Sequence, residues 1–455
     1  MGRQIETETY EVSRAVRSLR RAFTGSVLVP GDERYDTERR PLRPVFDPRP
    51  VMVAEAAGAA DVQAAVTVAR EHDLPVAVQA TGHGTIVPSD GGVLIKTGRM
   101  AGVLVDPERR VARAGPGTRW SEVIAAAAPF GLVPLSGSAP SVGVAGYTLG
   151  GGVGWLSRKY GFAADSLLRA EVVTADGRLI TTSADRHPDL FWALRGGSGN
   201  FGLVTALEFR LYPVAQVYAG TAYFPIDRAA DTLARYRDWT ATAPDEMSTA
   251  VVMTRMPDSP NVPEPVRGRR VVAIKAMYAG PAGEAERLLR PLRATAGPAL
   301  MDDFRQARYA DASMGGTPPL HMDLFRELPD AVLDTVRAAI DGPADSPVSA
   351  IEIRHWGGAM AHPGPDAGPT GHRDAPYSVT INARVPSLAA ALRPYATGGS
   401  FLNFLSNPAR TASAYTDANY RRLTEIKRTY DPANVFHRGH NIPPATEANR
   451  KDPAA

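Results

Sequence analysis

The sequence predicts an α+β protein built from more than one unit, and three observations carry that prediction. At 455 residues the chain is longer than one ordinary core organises. Hydrophobic residues make up 44% and charged residues 22%, a globular balance. Helical and strand periodicities alternate, but without the regular strand–helix–strand beat of a dinucleotide-binding α/β domain.

The elements follow in chain order. Residues 10–23 carry apolar positions at helical spacing, and Gly25 can end that helix. Asp61 is placed to cap a second helix, whose Val62, Ala65, Val66 and Ala69 share a face. Residues 75–79 read as a buried strand. Hairpins are expected around residues 106–110 and 175–178, where turn residues separate β-branched runs. A helix ending in glycines near residue 197 leads into a strand that runs to Pro213.

Beyond Pro213 the texture changes. Amphipathic helices are expected at 229–241, 283–296 and 329–340. Strands are expected at 248–253, 270–277, 350–356 and 377–384. The pattern predicts an antiparallel sheet with helices on one face. A last helix, 415–430, carries Leu423 and Ile426 on its apolar side and stops before Pro432. The polar tail from 445 on reads as disordered. Residues 1–213, 214–400 and 401–455 are the expected divisions.

Composition excludes several chemistries. The sequence contains no cysteine, so disulfides, thiolate nucleophiles and iron–sulfur clusters are out. Net charge is only +3 and no basic run is interleaved with aromatics, so no nucleic-acid partner is expected. The N-terminus has no apolar signal-like core. The most apolar stretch, 123–135, is short and broken by Pro129 and Pro134, so no membrane partner is expected and a cytoplasmic protein follows. The histidines show no metal-ligand spacing, so no metal site is expected. Arginine far outnumbers lysine, the bias of a GC-rich bacterial gene.

Three glycine-bearing segments stand out. The first is Gln79-Ala-Thr-Gly-His-Gly-Thr85, directly after an expected strand. Glycines beside His83 let backbone N–H groups turn inward and cradle a pyrophosphate; a tight turn carrying a surface histidine reads it equally well. The second runs from Ser141 to Gly154 and is too glycine-dense for regular structure. Close approach to a flat or phosphorylated ligand explains it, and a plain loop is the alternative. It matches neither the GxGxxG fingerprint nor a P-loop. The third is Leu190-Phe-Trp-Ala-Leu-Arg-Gly-Gly-Ser-Gly-Asn-Phe-Gly-Leu-Val204.

Order and spacing of these segments resemble the berberine bridge enzyme-like branch of the vanillyl-alcohol oxidase flavoprotein superfamily. Further matching stretches are Ser157-Arg-Lys-Tyr-Gly161, Tyr430-Asp-Pro-Ala-Asn-Val-Phe436 and Asn441-Ile-Pro443. The middle, about 214–400, matches mainly around Trp356-Gly-Gly-Ala and His372-Arg-Asp-Ala. The resemblance implies a PCMH-type FAD-binding domain of two α+β subdomains plus a substrate domain. It implies FAD as cofactor, bonded through the 8α carbon to His83. Ala139 stands where many members have a second, cysteinyl link, which this chain cannot make. The cofactor residues it implies are Thr81, Gly82, Gly84 and Thr85; Ser141, Val142, Gly143, Gly146, Tyr147, Leu149, Gly150, Gly151 and Gly154; Gly199 and Val204; His440 and Asn441. A small Val142 implies reoxidation by O2.

One departure shapes the expected chemistry. Many members place a tyrosine base where this chain has Phe404, and phenylalanine takes no proton. The base must come from elsewhere, with Tyr377, Glu352 and His372 as candidates. Phe401, Phe404, Trp356 and Met314 suggest an apolar pocket for a bulky small molecule, free or glycosylated. The leading expectation is an FAD-linked oxidase of a secondary metabolite, acting on an alcohol, amine or allylic C–H with O2 giving H2O2. The alternative is a cyclase or isomerase whose FAD is not turned over.

Overall fold

A computed structural model describes residues 2–312, 314–343 and 346–446, with side chains from Tyr10 on. Most of the tail expected to be disordered lies outside the described residues.

The first sheet has the order Ser26–Leu28, Met52–Glu55, Val93–Lys96, Val76–Gln79. Its first pair is antiparallel and the rest are parallel. The helix Ala59–Glu71 makes the crossover, and Gly2–Ala22 packs beside it. Buried Val62, Ala65, Val66 and Ala69 join Met52, Ala54 and Ile95 in one core. Asp61 departs from expectation. It lies inside the first turn rather than at the cap, which is Gly58. Its carboxylate accepts from Thr24 N, Gly25 N and Ala57 N at 2.7, 3.0 and 2.8 Å, so it stitches two loops together.

The second sheet is antiparallel, ordered Val103–Asp106, Val111–Ala114, Leu203–Arg210, Leu167–Val173, Leu179–Ser183. Both expected hairpins are in it. The first glycine segment follows the strand Val76–Gln79 of the first sheet, the second precedes Leu167–Val173, and the third leads into Leu203–Arg210 of the second sheet.

The third sheet runs Met301–Asp302, Gln216–Pro225, Arg270–Tyr278, Met247–Arg255, Ala350–His355, Tyr377–Ile381, His321–Phe325, all antiparallel, with Arg305–Arg308 also pairing Gln216–Pro225. The helices Ala229–Thr240, Ala282–Ala296 and Asp330–Asp341 cover one face. Ile351, Ile353, Val379 and Ile381 point into that helical layer. Side chains alternate along a strand, so Glu352, Arg354 and Thr380 point the other way. The strand Gln216–Pro225 was hidden to sequence reading because it is buried almost throughout and lacks alternation.

The helix Asp417–Tyr430 returns to the first half, where Leu423 and Ile426 pack with Leu190 and Phe201. The Ser157-Arg-Lys-Tyr motif joins the halves. Buried Arg158 donates from Nε to Met247 O at 2.8 Å and lies 3.0 Å from His355 Nε2. His355 is pushed down to about 3 by burial and then by the Arg158 cation, so it stays neutral.

Candidate active site

A cavity of about 670 Å³ opens between the glycine loops and the bare face of the third sheet. That volume suits a large small-molecule ligand. One wall is largely backbone. Thr81, Gly82, His83, Gly84 and Thr85 line it, with Val142, Gly143, Gly146, Tyr147, Leu149, Gly150, Gly199, Val204 and His440. The opposite wall is side chains: Glu352, Arg354, Thr380 and Phe404.

The glycines divide into two groups. A methyl built on Gly84, Gly146 or Gly199 meets nothing within 4 Å and would project into open space along the cavity wall. These three leave room for a ligand. Several others serve packing. A methyl on Gly152 or Gly137 would meet the Tyr147 ring at 2.5 or 2.9 Å, and one on Gly154 would strike the Ser136 carbonyl. One on Gly151 would lie 2.9 Å from the Phe401 ring. Gly151 and Gly154 are close-packing positions that stand off the cavity wall. Ser141 and Asn441 also stand just off it. Ser141 Oγ lies 3.3 Å from His83 Nε2, and the buried Asn441 Oδ1 has no protein partner.

His83 is held from both ends. Its Nδ1 is 3.1 Å from Thr81 Oγ1. Burial, then the Arg43 and Arg119 cations, hold its pKa below the ordinary histidine value. It is therefore neutral at pH 7, the form with a nucleophilic nitrogen lone pair.

Three side chains that sequence reading missed pin the backbone wall. Gly152 N donates to Asn403 Oδ1 at 2.9 Å, and Asn403 Nδ2 donates to Tyr147 O at 3.2 Å. Asn200 Nδ2 donates to Gly197 O and His440 O, both at 2.8 Å, and Asn200 Oδ1 accepts from Ile442 N at 2.9 Å. Lys427, fully buried, donates to Asn200 O at 2.6 Å, Phe436 O at 3.0 Å and Asp431 at 2.6 Å. Asp431 accepts in turn from Val435 N and Phe436 N. The Asp-Pro-x-Asn element is thus a charged knot that folds the C-terminal segment onto the glycine loops. A lysine four residues after Leu423, on the apolar face of a helix, was the available signal. His440 Nε2–H donates to Leu405 O at 2.8 Å, and burial keeps the ring neutral despite that bond.

On the side-chain wall, Glu352 Oε1 accepts from Arg354 at 2.8 Å and Oε2 from Thr317 N at 3.1 Å. Burial pushes its carboxyl up, but Arg354, Lys275 and Thr317 outweigh that and hold it below the ordinary glutamate range. Glu352 is the only carboxylate on the cavity wall among the described residues.

Tyr377 and His372 are corrected as catalytic candidates. Tyr377 pairs with His355 across the sheet, so both face the helices. Its hydroxyl is 2.7 Å from Thr240 Oγ1, behind the sheet. His372 Nε2–H donates to Ser413 O at 2.8 Å in a loop off the cavity. Among the four aromatic or thioether side chains expected to line the pocket, only Phe404 does so. Phe401 and Trp356 pack edge to face at 5.2 Å in a separate core with Phe162, and Met314 leans on the first-half core.

The residues present fit an FAD. The open glycines give flat, close access, while Ser89 Oγ, Thr97 Oγ1, Tyr147 Oη and Arg438 Nε, on residues that line the cavity, are buried without protein partners. Comparison with known proteins agrees. The family described as "FAD binding domain" matches residues 50–183, and "Berberine and berberine like" matches 400–443. The chain is 29% identical over 468 residues to (R)-6-hydroxynicotine oxidase of Paenarthrobacter nicotinovorans, covering 93% of this chain and 97% of that one. It is 27% identical, at the same coverages, to an uncharacterized FAD-linked oxidoreductase of Bacillus subtilis. The crystal structure of 6-hydroxy-D-nicotine oxidase from Arthrobacter nicotinovorans superposes with a TM-score of 0.80 at 27% identity, covering 93% of this chain and 98% of that one. A berberine bridge enzyme-like protein of Physcomitrella patens, at 22% identity, shares the fold with a TM-score of 0.83 over 95% of this chain and 99% of that one. With a glycine-lined cradle and matches to both family models, the chain carries the FAD-binding and berberine-like domains of an FAD-linked oxidoreductase.

Proposed function

We propose that this enzyme is an oxidase of a bulky, partly apolar small molecule, with the backbone wall holding FAD and the side-chain wall holding substrate. The observation that carries the reading is the single cavity with two chemically different walls. In domain terms, residues 1–213 and 401–455 form the cofactor unit and 214–400 the substrate unit. Bound FAD supplies a two-electron acceptor. In oxidising a substrate that acceptor would take up two electrons and pass them to O2 as H2O2, while a protein group would take the substrate proton.

His83 is the tether. It is neutral and oriented by Thr81 and Ser141, as bonding to the flavin 8α carbon requires. Val142, small and on the cavity wall, leaves O2 a path. Glu352 is the proton acceptor: it is buried, ionised and free to accept further hydrogen bonds on the cavity side. Phe404 excludes water without competing for the proton. The likeness to a hydroxynicotine oxidase favours a cyclic amine or a related natural product as substrate.

Turnover tests this. Anaerobic addition of a substrate such as 6-hydroxynicotine should bleach the flavin, and air should restore the colour with H2O2. A product formed with the flavin oxidised throughout would instead favour a cyclase or isomerase, the reading that Phe404 motivates.

A further inference from the structure

We propose that Arg354 is an anion-recognition residue of the substrate wall, selecting molecules that carry a carboxylate or an ionised aromatic hydroxyl. The inference rests on the two-walled reading above and deepens it.

Arg354 is nine-tenths buried, yet it lines the cavity. Its Nε donates to Glu352 Oε1 at 2.8 Å, and its Nη2 lies 2.8 Å from the same oxygen and donates to Ser138 Oγ at 3.5 Å. The indole of Trp155 lies 4.6 Å from the guanidinium carbon. These contacts fix the guanidinium plane from three sides. They leave Nη1, with its two N–H groups, without a protein acceptor, and it is absent from the buried orphaned atoms. Those donors therefore open onto accessible space, and the cavity is the space Arg354 borders.

The charge on this wall is not balanced by Glu352 alone. Lys275 stands behind the same carboxylate, donating to Met314 O and to Gly315 O at 3.2 Å, and it contributes to holding Glu352 ionised. Asp303 also acts on Lys275 but does not line the cavity. Two cations thus share the one carboxylate on the cavity wall. A pre-oriented guanidinium with free donors in a half-enclosed site recognises a planar anion through short, charge-assisted hydrogen bonds. A neutral amide or alcohol leaves that charge unmatched.

The test uses the flavin-loaded protein and reads ligand binding from the flavin difference spectrum and by calorimetry, with no turnover. The probes are benzoate and 4-cyanophenolate, against the neutral benzamide and benzyl alcohol. At least one anion should bind roughly tenfold or more tightly than the neutral probes. Preference for benzoate assigns a carboxylate and preference for 4-cyanophenolate an ionised hydroxyl. Arg354→Gln should erase the preference, and Arg354→Lys should retain part of it. Glu352→Gln should move it the other way and tighten anion binding, a gain that a folding defect does not produce. Equal binding of benzoate and benzamide, or an unchanged preference in Arg354→Gln, overturns the proposal. Loss of H2O2 production in the wild type would sink the oxidase reading while leaving this one standing.

Discussion

The two walls of the cavity are built by different means. The proposed cofactor wall is backbone, shaped by glycines and locked by Asn200, Asn403 and the Lys427–Asp431 knot. The proposed substrate wall is the side-chain face of a sheet, where Glu352, Arg354 and Thr380 alternate with helix-facing Ile351, Ile353 and Val379. A backbone wall depends on what residues lack, and few sequences satisfy it. A side-chain wall accepts many residue types at the same geometry. Such a pairing lets one cofactor site serve many substrates.

The largest expected effect falls on the substrate wall. Glu352→Gln should lower kcat/KM by about 10²–10⁴-fold, the usual worth of a positioned general base, while flavin content stays unchanged. Equal turnover in this variant would remove Glu352 from the chemistry. Its pH dependence carries a sign. The folded carboxyl lies below the ordinary glutamate value of 4.5, so the base form is present above that pH and the acid limb of kcat/KM lies below 4.5. A limb above 4.5 from this group would contradict the ion pairing.

The next effect is on the cofactor wall. Lys427→Met leaves Asp431 buried and unpaired, which costs about 3–5 kcal/mol of stability. Thermal unfolding should show a drop of several degrees, and an unshifted midpoint would mean the knot carries no load. The glycines give a sharper contrast. Gly154→Ala collides with the Ser136 carbonyl and should destabilise the fold, whereas Gly84→Ala should leave the apoprotein's melting unchanged and reduce flavin incorporation. The reverse pattern would undo the division between packing and cradle glycines. Smallest is Tyr377→Phe. Removing a hydroxyl bonded to Thr240 should cost about 1 kcal/mol in stability and leave kcat near wild type. A large loss of kcat would return Tyr377 to the active site.

The same contrast explains what was legible in the sequence. Glycine runs, hairpin turns and amphipathic helices announce themselves, because each reflects a local backbone demand. His83 stood out for that reason. Tyr377 was misread because a strand's own alternation is visible but its register against a neighbour is not. Its pairing with His355 rather than Arg354 put it behind the sheet. His372 was misread because its place in a motif says nothing of direction; its ring instead ties down Ser413. Lys427, Asn200 and Asn403 went unseen because each also bonds a backbone group far along the chain. Phe401 and Trp356 were apolar as expected, but aromatic side chains near a site pack its supports as readily as its lining.

The central claim is that the backbone wall holds FAD and that neutral His83 tethers it. Acid precipitation of the purified yellow protein tests this most directly, with His83→Ala alongside. The account predicts that flavin stays in the wild-type pellet and moves entirely to the supernatant in His83→Ala. Flavin released completely from the wild type would contradict the tether, and flavin retained in the His83→Ala pellet would assign the bond to another residue.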